Sequence, residues 1–302
     1  MKTVSLIPFP SAKGTSVALG MFDGVHMGHR RIITAAKNKS TERGIPTSVL
    51  LFSKSPHGAS ELLSLEERLD ELKKLGVNYA YVYDFEELKD KTPEEFVKNE
   101  LFERLEAVAV FAGYNYRFGA HASGDADMLM RLCKESGIEC GITEEVVFEG
   151  ESVSSTRIRN LLKNGDIERA NAMLTYPYYL SAEVLHGKEL GRKLGIPTIN
   201  QNIAATRAKM AHGIYYTKTI IDEKEYISVS NLGVRPTVED TENINLETHI
   251  IGFNGDLYGK TVRVEFYGKG RSEKCFDGVE ALRKAALADC ERAVEFFKTR
   301  GI

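Results

Sequence analysis

The sequence predicts two domains, an N-terminal α/β domain with a parallel sheet and a small antiparallel β-barrel closed by a C-terminal helix. The chain has 302 residues, more than a single hydrophobic core usually supports. Short β-rich runs alternate with helical patterns up to about residue 177, which is typical of a parallel sheet covered on both faces. Beyond that point, β-rich runs follow one another with little helix between them until Asp277. We therefore expect domains at residues 1–177 and 178–302.

The N-terminal half alternates strands and helices. Four leucines between Leu65 and Leu75 share one helical stripe, and Thr92 followed by Pro93 and two acids is a typical helix start. Strands are predicted at Ser16–Leu19, Thr47–Phe52, Tyr79–Tyr83, Ala107–Ala112 and Cys140–Phe148. Helices are predicted at Arg31–Lys39, Leu65–Leu75, Thr92–Leu105, Asp127–Ser136, Thr156–Lys163 and Ile167–Leu174.

The C-terminal half is dominated by alternating and β-branched runs. Asp222-Glu223-Lys224 is expected to form a tight hairpin turn. Strands are predicted at Tyr178–Leu185, Gly213–Ile221, Glu225–Asn231, Asn245–Phe253 and Thr261–Tyr267. The last element, Asp277–Thr299, is predicted as a helix whose buried face carries Val279, Leu282, Ala286, Val294 and Phe297.

Composition and charge restrict the class of protein. Lys and Arg number 40 against 43 Asp and Glu, a net charge of −3, so we expect no nucleic-acid partner. No apolar run is long enough to cross a membrane. Met1 leads into no signal-peptide core, and the four cysteines form no CxxC pair. We therefore expect a cytoplasmic protein with reduced thiols and no membrane partner.

The run LGMFDGVHMGH, which ends at His29, follows a predicted strand and precedes a helix. Gly20 and Gly24 allow the backbone to approach a ligand closely. His26 and His29 are three residues apart at a helix N-terminus, where free N–H groups and the helix dipole favour anions. A short H-x-G-H motif also occurs by chance. Its position at the first strand-to-helix turn of an α/β sheet favours a site for a nucleotide phosphate under attack.

A second candidate phosphate site begins the helix after the last predicted strand. Ser154, Ser155 and Thr156 are helix-capping residues. Their hydroxyls, together with Arg159, are suited to hold the outer phosphates of ATP. The alternative is an ordinary capped helix with surface arginines, which is the interpretation we prefer for Arg157.

Together, these motifs resemble the adenylyltransferase module of prokaryotic bifunctional riboflavin kinase/FAD synthetases, a Rossmann-like member of the H-x-G-H nucleotidyltransferase superfamily. The resemblance implies that His26, His29 and Arg159 are catalytic. It also implies nucleotide or flavin contacts at Gly20, Phe22, Asp23, Gly24, Asn115, Ser154, Ser155 and Thr156.

Two further segments resemble this module but depart from its pattern. The segment GYNYRFG has Asn115 where the family has Asp and Tyr116 where the family has Phe. The segment LFSKSPHG, at residues 51–58, lacks the family's Thr and its final Pro. These departures concern the expected flavin and phosphate contacts.

A second glycine-rich run, HGKELGRKLGIPTIN, lies in the C-terminal half and ends at Asn200. Glycines interleaved with basic residues suit a loop whose N–H groups surround phosphates, and the run lacks the ending of a Walker A loop. Thr198 and Asn200 lie two residues apart, so in an extended segment they face the same side. Their oxygens suit Mg²⁺. The alternative is a glycine-rich surface loop with solvated lysines.

This run resembles the riboflavin kinase signature. Further matches follow in order at Gly213–Tyr215, Asn231–Thr237, Leu246–His249, Asp256–Gly259 and Arg271–Phe276. The resemblance implies that Glu247 is the general base and that Thr198 and Asn200 hold Mg²⁺. It also implies nucleotide or flavin contacts at Gly187, Lys188, Gly191, Arg192, Gly195 and Arg271. The departures here are Gly252, where an acid is usual, and Gly270, where an aliphatic residue is usual.

The resemblance implies two reactions, with ATP as co-substrate and riboflavin, FMN and FAD as substrates or products. The alternatives are a riboflavin kinase whose adenylyltransferase half is impaired, because of Asn115 and residues 52–58, and a non-catalytic flavin-binding protein. A tRNA synthetase is disfavoured because the chain has no basic face. The sequence leaves the oligomeric state open.

Overall fold

The computed structural model describes residues 1–10, 13–55, 58–187, 191, 195–234 and 244–302. The chain forms two compact units, Met1–Ser155 and Thr156–Ile302. The second unit begins earlier than residue 178 because two helices pack with the barrel. Ala211 N donates to Leu162 O at 3.0 Å, and Asn171 Nδ2 donates to Phe266 O at 2.8 Å. The assignment of residues 1–177 to one function stays a prediction.

The first unit is an α/β domain, as expected from the alternating pattern. Its strands are β1 (Lys2–Ser5), β2 (Thr15–Leu19), β3 (Thr47–Phe52), β4 (Tyr79–Tyr83), β5 (Ala107–Gly113) and β6 (Glu139–Thr143). Its helices are α1 (Met27–Arg43), α2 (Leu65–Lys74), α3, with a first turn at Pro93–Glu95 and a π-helical continuation at Phe96–Arg104, and α4 (Ala126–Glu135). The sheet order is β1-β4-β3-β2-β5-β6, and every pair except β1–β4 is parallel.

The strand order creates a crevice at the centre of this sheet. From β2 the chain passes through α1 to β3 on one side, whereas β5 pairs with β2 on the other side. Open α/β sheets bind ligands beyond the carboxyl ends of the strands at such a switch point. The loops after β2 and β5 are the run up to His29 and the segment that contains Asn115. The fold therefore brings two predicted site segments to one edge of the sheet.

The run predicted as one strand at Cys140–Phe148 is divided in the structure. After β6 the chain forms a small hairpin of β7 (Val147–Phe148) and β8 (Glu151–Ser152). The two residues between these strands, Glu149 and Gly150, have φ values of 52° and 79°. Such a two-residue turn with positive φ favours a hairpin, so the single-strand prediction was wrong.

The second unit is a closed six-stranded barrel with the order β10-β13-β12-β11-β14-β9. Its elements are α5 (Ser155–Asn164), α6 (Ile167–Leu174), β9 (Tyr179–Leu185), β10 (Thr198–Ile203), β11 (Gly213–Ile221), β12 (Lys224–Val234), β13 (Ile244–Ile250), β14 (Thr261–Arg271) and α7 (Val279–Arg300). All six strand pairings are antiparallel, which confirms the predicted barrel class. The predicted hairpin is also present, because Ile221 pairs with Lys224 across Asp222 and Glu223.

Strand β10 was missing from the predicted strands because its polar residues are uncommon in strands. Its alternation nevertheless fits the barrel. Gln201 is fully buried and donates to Ala182 O at 2.6 Å and to Val262 O at 2.8 Å. Since neighbouring side chains on a strand point to opposite faces, Asn200 lies on the outer face of the barrel.

The buried stripe of the C-terminal helix α7 agrees with the prediction at Phe297 but not at Val279 or Val294. Asp289, Ala293 and Phe297 are buried, whereas Val279 and Val294 are 54% and 42% exposed. An acid replaces an apolar residue in this stripe because Asp289 forms an ion pair with an arginine of the barrel. Among the residues that the structure describes, no helix has both the length and the apolar character to cross a membrane.

A buried carboxylate stabilises the first unit beneath its sheet. Glu100 on α3 is 1% exposed, and its Oε2 accepts hydrogen bonds from Tyr83 Oη at 2.7 Å and Arg104 Nη1 at 2.9 Å. Lys91 Nζ lies 3.0 Å from Oε1. Because burial of a carboxylate is costly, these partners are needed to retain its charge.

We expect Glu100→Gln to lower the free energy of unfolding by about 1–3 kcal/mol, because a charged acceptor is lost from three donors. Urea unfolding followed by circular dichroism measures the change. Glu103→Gln is the matched control, since Glu103 is exposed on the same helix. Equal unfolding midpoints for the two variants would contradict a stabilising role for the Glu100 charge.

Candidate functional sites

The loop that follows β2 has an unusual backbone. Phe22, Gly24 and Val25 have φ values of 53°, 82° and 38°. Positive φ is strained for a bulky residue and persists only where the surrounding structure imposes it. Phe22 and Val25 are fully buried, so packing in the core holds the loop in this conformation.

Two residues that were predicted to contact ligand also hold this loop in place. The carboxylate of Asp23 accepts hydrogen bonds from Leu62 N at 2.9 Å and Leu63 N at 3.1 Å. Ser155 Oγ donates to Asp23 O at 2.8 Å. These contacts give Asp23 and Ser155 a structural role at the site, and their contact with a nucleotide stays a prediction.

Arg68 on α2 is a further loop anchor that sequence reasoning missed. Its side chain is 1% exposed. Nη1 donates to Met21 O at 3.1 Å and Phe52 O at 3.0 Å, and Nη2 donates to Ser53 O at 2.7 Å. It therefore joins the loop after β2 to the end of β3. The sequence did contain one indication of its burial. Arg68 lies four residues before Leu72, so it belongs to the same core-facing side of the helix.

The two histidines of the H-x-G-H motif lie against each other at the start of α1. The rings of His26 and His29 stack with centroids 3.7 Å apart, and Phe22 meets the His29 ring edge-on at 5.4 Å. His26 caps the helix, because its Nδ1 accepts from His29 N at 3.4 Å. A Cβ at Gly28 would lie 3.2 Å from His26 Cε1, so glycine leaves room for the ring.

The surroundings of His29 favour the neutral form of its imidazole. Burial holds the pKa of His29 well below its usual value of 6.5, and the nearby positive charges of His26 and Arg68 lower it further. Since His26 Nδ1 accepts a hydrogen bond, the proton of its neutral ring lies on Nε2. His29 Nδ1 is buried and has no hydrogen-bond partner in the described part of the chain. A neutral imidazole keeps one N–H, so His29 can donate a hydrogen bond to a phosphate.

The segment after β5 is the second part of this site. Asn115 is exposed at the carboxyl end of the strand, and Tyr116 stacks on Phe118 with centroids 5.8 Å apart. Phe118 pairs with Gly124, where a Cβ would overlap with the Phe118 ring. The two aromatic rings thus pack with the hydrophobic core of the first unit, whereas Asn115 is exposed beyond the end of β5.

Several residues that the sequence predicts to contact ATP or flavin have no described position in the first unit. Pro56 and His57 lie outside the described residues. Thr156 and Arg159 belong to the second unit, on α5. Their part in holding ATP phosphates, like that of Ser154, stays a prediction from the sequence.

Strand register assembles the candidate site of the barrel. Glu247 on β13 lies directly opposite Asn200 on β10 and opposite Asn231 on β12. Thr198 lies opposite His249. Directly opposed residues of antiparallel strands share a face. The predicted base and both predicted metal ligands therefore lie side by side on the outer face of the barrel.

The glycine-rich run approaches these side chains closely. A Cβ at Gly187 would overlap with the Asn200 amide, and a Cβ at Gly191 would overlap with Ile196 O. Gly195 has a φ of 73°. Gly187 and Gly191 thus allow the backbone to lie close to its neighbours, and Gly195 allows a turn. Lys188 and Arg192, which were predicted to bind phosphate, lie outside the described residues, as do residues 235–237 of the next motif.

Arg271, predicted to contact ligand, has its guanidinium bound to α7. Its Nε lies 3.1 Å from Asp289 Oδ1, and its Nη2 lies 2.7 Å from Asp289 Oδ2. Asp289 is 2% exposed. The pair fastens the end of β14 to the C-terminal helix, and a ligand contact of Arg271 stays a prediction.

The oxygen donors of the barrel face are suited to a hard cation. Thr198 and Asn200 supply side-chain oxygens, and Asn231 Oδ1 is buried without a partner among the described residues. Neutral oxygens beside one carboxylate suit Mg²⁺, which keeps several waters and bridges phosphates. Within the described ranges, no three His, Cys, Asp or Glu side chains form a metal-binding group.

Comparisons with known proteins match both halves of the chain. A family model for FAD synthetase matches residues 9–157, and one for riboflavin kinase matches residues 174–297. Bifunctional riboflavin kinase/FMN adenylyltransferase of Pseudomonas fluorescens is 33% identical, over 94% of this chain and 93% of its own length. The protein of that name from Bacillus subtilis is 30% identical, over 93% of this chain and 92% of its own.

A solved structure extends the likeness to the whole fold. A protein of Streptococcus pneumoniae described as a macrolide-efflux protein superposes with a TM-score of 0.85 at 29% identity, covering 95% of this chain and 96% of its own. The sequence motifs, the two folds and the full-length relatives agree. This chain belongs to the family of bifunctional riboflavin kinase/FMN adenylyltransferases.

Proposed function

We propose that this chain phosphorylates riboflavin with ATP to FMN in residues 178–302, and transfers AMP from ATP to FMN in residues 1–177, giving FAD and pyrophosphate. The observation that supports this best is that one pair of signature residues lies side by side in each unit. His26 and His29 stack at the switch point of the sheet, and Glu247 lies beside Asn200 on the barrel.

In the adenylyl transfer, an oxygen of the FMN phosphate attacks the α-phosphorus of ATP. The bond from that phosphorus to the bridging oxygen breaks, and pyrophosphate leaves. The FMN phosphate is already an anion, so no strong base is needed. We propose that His26 and His29, as hydrogen-bond donors, stabilise the charge on the α-phosphate. We also propose a phosphate contact for Arg159, on the basis of the sequence resemblance alone. The buried anchors Asp23 and Arg68 keep the loop preorganised.

In the phosphorylation, the ribityl 5′-hydroxyl attacks the γ-phosphorus of ATP while Glu247 accepts the hydroxyl proton. The bond from that phosphorus to the bridging oxygen breaks, and ADP leaves. A carboxylate is an adequate base because the loose transition state requires little proton transfer early on. We propose that Thr198 and Asn200 hold Mg²⁺, which would neutralise phosphate charge.

We further propose that the protein works in the cytoplasm, on small molecules, without a nucleic-acid or membrane partner. Support comes from the composition, which has no basic excess. The four cysteines, Cys133, Cys140, Cys275 and Cys290, are free, as a reducing compartment would keep them.

Product analysis tests both activities together. Purified protein with ATP and Mg²⁺ should form FAD from riboflavin and also from added FMN, with the flavins resolved by chromatography. If riboflavin gives FMN but neither substrate gives FAD, the result favours a riboflavin kinase whose adenylyltransferase half is impaired. Asn115 would then be the first residue to test. No product from either would favour a flavin-binding protein.

We expect His29→Ala to lower the rate of FAD formation by about 10²–10³-fold, because one donor to the developing phosphate charge is lost. FMN formation from riboflavin should be unchanged. Initial rates of both steps are measured on the same preparation. His212→Ala, an exposed histidine in the second unit, serves as the control. Loss of both activities in a folded variant would show that the division of labour is wrong.

We expect Glu247→Gln to lower the rate of FMN formation by about 10²–10⁴-fold, because the isosteric amide cannot accept the hydroxyl proton. FAD formation from added FMN should persist. Glu183→Gln is the matched control on an exposed position of β9. Unchanged FMN formation would remove Glu247 from its proposed role.

A further inference from the structure

Asn245 lies two residues before Glu247 on β13, and both side chains belong to the outer face of the barrel. Asn245 Nδ2 donates a hydrogen bond to Glu247 Oε1 at 3.0 Å. This contact fixes the orientation of the amide, since only the NH₂ group can face a carboxylate. No motif in the sequence points to Asn245.

The oxygen of the Asn245 side-chain amide accepts no hydrogen bond from the described residues. Asn245 is 5% exposed, and its Oδ1 is buried without a hydrogen-bond partner in the part of the chain that the structure describes. A buried amide oxygen without a donor disfavours folding, whereas an apolar side chain of the same shape has no such penalty. For stability alone, leucine would suit this position at least as well. The hydrogen bond to Glu247 therefore distinguishes asparagine from an apolar residue here.

The neighbours of the pair show what surrounds the carboxylate. In the register, Asn200 and Asn231 flank Glu247, whereas Asn202 and Gly233 flank Asn245. Titratable groups described on or beside this face include His249, whose Nδ1 lies 2.8 Å from Pro197 O, and Glu273, whose carboxylate lies against Gly233. Glu183 is exposed on the neighbouring strand β9, and His186 is exposed at the end of that strand. Among the described neighbours, Asn245 is thus a neutral donor directed at the carboxylate of Glu247.

We propose that Asn245 is a positioning residue for riboflavin phosphorylation, whose amide N–H donates to one oxygen of Glu247 and so orients the carboxylate toward the substrate hydroxyl. A hydrogen bond to one oxygen restricts the rotamers of a carboxylate side chain, and a small misplacement of a base slows proton transfer. The proposal rests on the proposed role of Glu247 as the base. Asn245 itself exchanges no proton in the reaction.

The first test compares Asn245→Leu with the wild-type chain. Leucine has nearly the same shape but no donor. We expect kcat for FMN formation to fall by about 10–100-fold, as for loss of a hydrogen bond to a charged group. KM for riboflavin should stay within about threefold, because substrate contacts are retained. The melting temperature should be unchanged or higher, because the unsatisfied oxygen is removed.

The matched control is Asn202→Leu, at the exposed position opposite Asn245 on β10, and it should leave kcat unchanged. A residue that only supports the fold would instead lose activity and melting temperature together. FAD formation from added FMN, measured on each preparation, normalises for the amount of active protein. An unchanged kcat in Asn245→Leu, or a fall that follows a lower melting temperature, would overturn the proposal.

A double-mutant cycle completes the test, using single-turnover FMN formation. If Asn245 acts through Glu247, adding Asn245→Leu to Glu247→Gln should cause no further loss. An equal fold-loss in both backgrounds would overturn the positioning role while leaving the proposed function intact. Failure of the wild-type chain to form FMN, or full activity of Glu247→Gln, would instead overturn the proposed function and this inference with it.

Discussion

Strand pairing determines where the histidine loop of the first unit begins and where Glu247 lies in the second unit. In the first unit, parallel pairing of β2 with β5 brings the carboxyl ends of both strands to one edge, where the histidine loop and the Asn115 segment begin. In the second unit, antiparallel register aligns Asn200, Glu247 and Asn231 in one row across three strands. A shift of one residue would turn these side chains to the opposite face of the sheet. The chemistry of each unit therefore depends on its backbone hydrogen bonds.

Buried polar side chains hold the loops that the strands position. Arg68 joins the ends of β2 and β3 by bonds to three carbonyls, and Asp23 binds two amides of the chain before α2. Burial of such charges is favourable only when partners compensate the lost hydration. These contacts fix a loop whose Phe22 and Val25 have strained dihedral angles. The loop is thus held in shape before any ligand binds.

Periodicity predicted the two folds, and motif spacing predicted the segments that form the candidate sites. The positions of His26 and His29 at a strand-to-helix turn, and of Glu247 on a strand, followed from local patterns. Arg68 was missed because its partners are backbone carbonyls distant in sequence. Asn245 was missed because its importance lies in one hydrogen bond to the carboxylate of Glu247. The exposed Val294 was assigned to the core because an apolar residue normally occupies the buried stripe, whereas Asp289 does so here with an arginine partner.

The sequence alone determined the order of elements, the class of each domain and the family resemblance, because local periodicity and short motifs are properties of neighbouring residues. Only the tertiary structure decided which polar groups are buried and which partners satisfy them. Asp23 and Arg271 are examples. Both were expected to contact ligand, and the structure shows that both also form hydrogen bonds with other segments of the chain. Burial and register arise when separate segments pack together, and no local pattern specifies them.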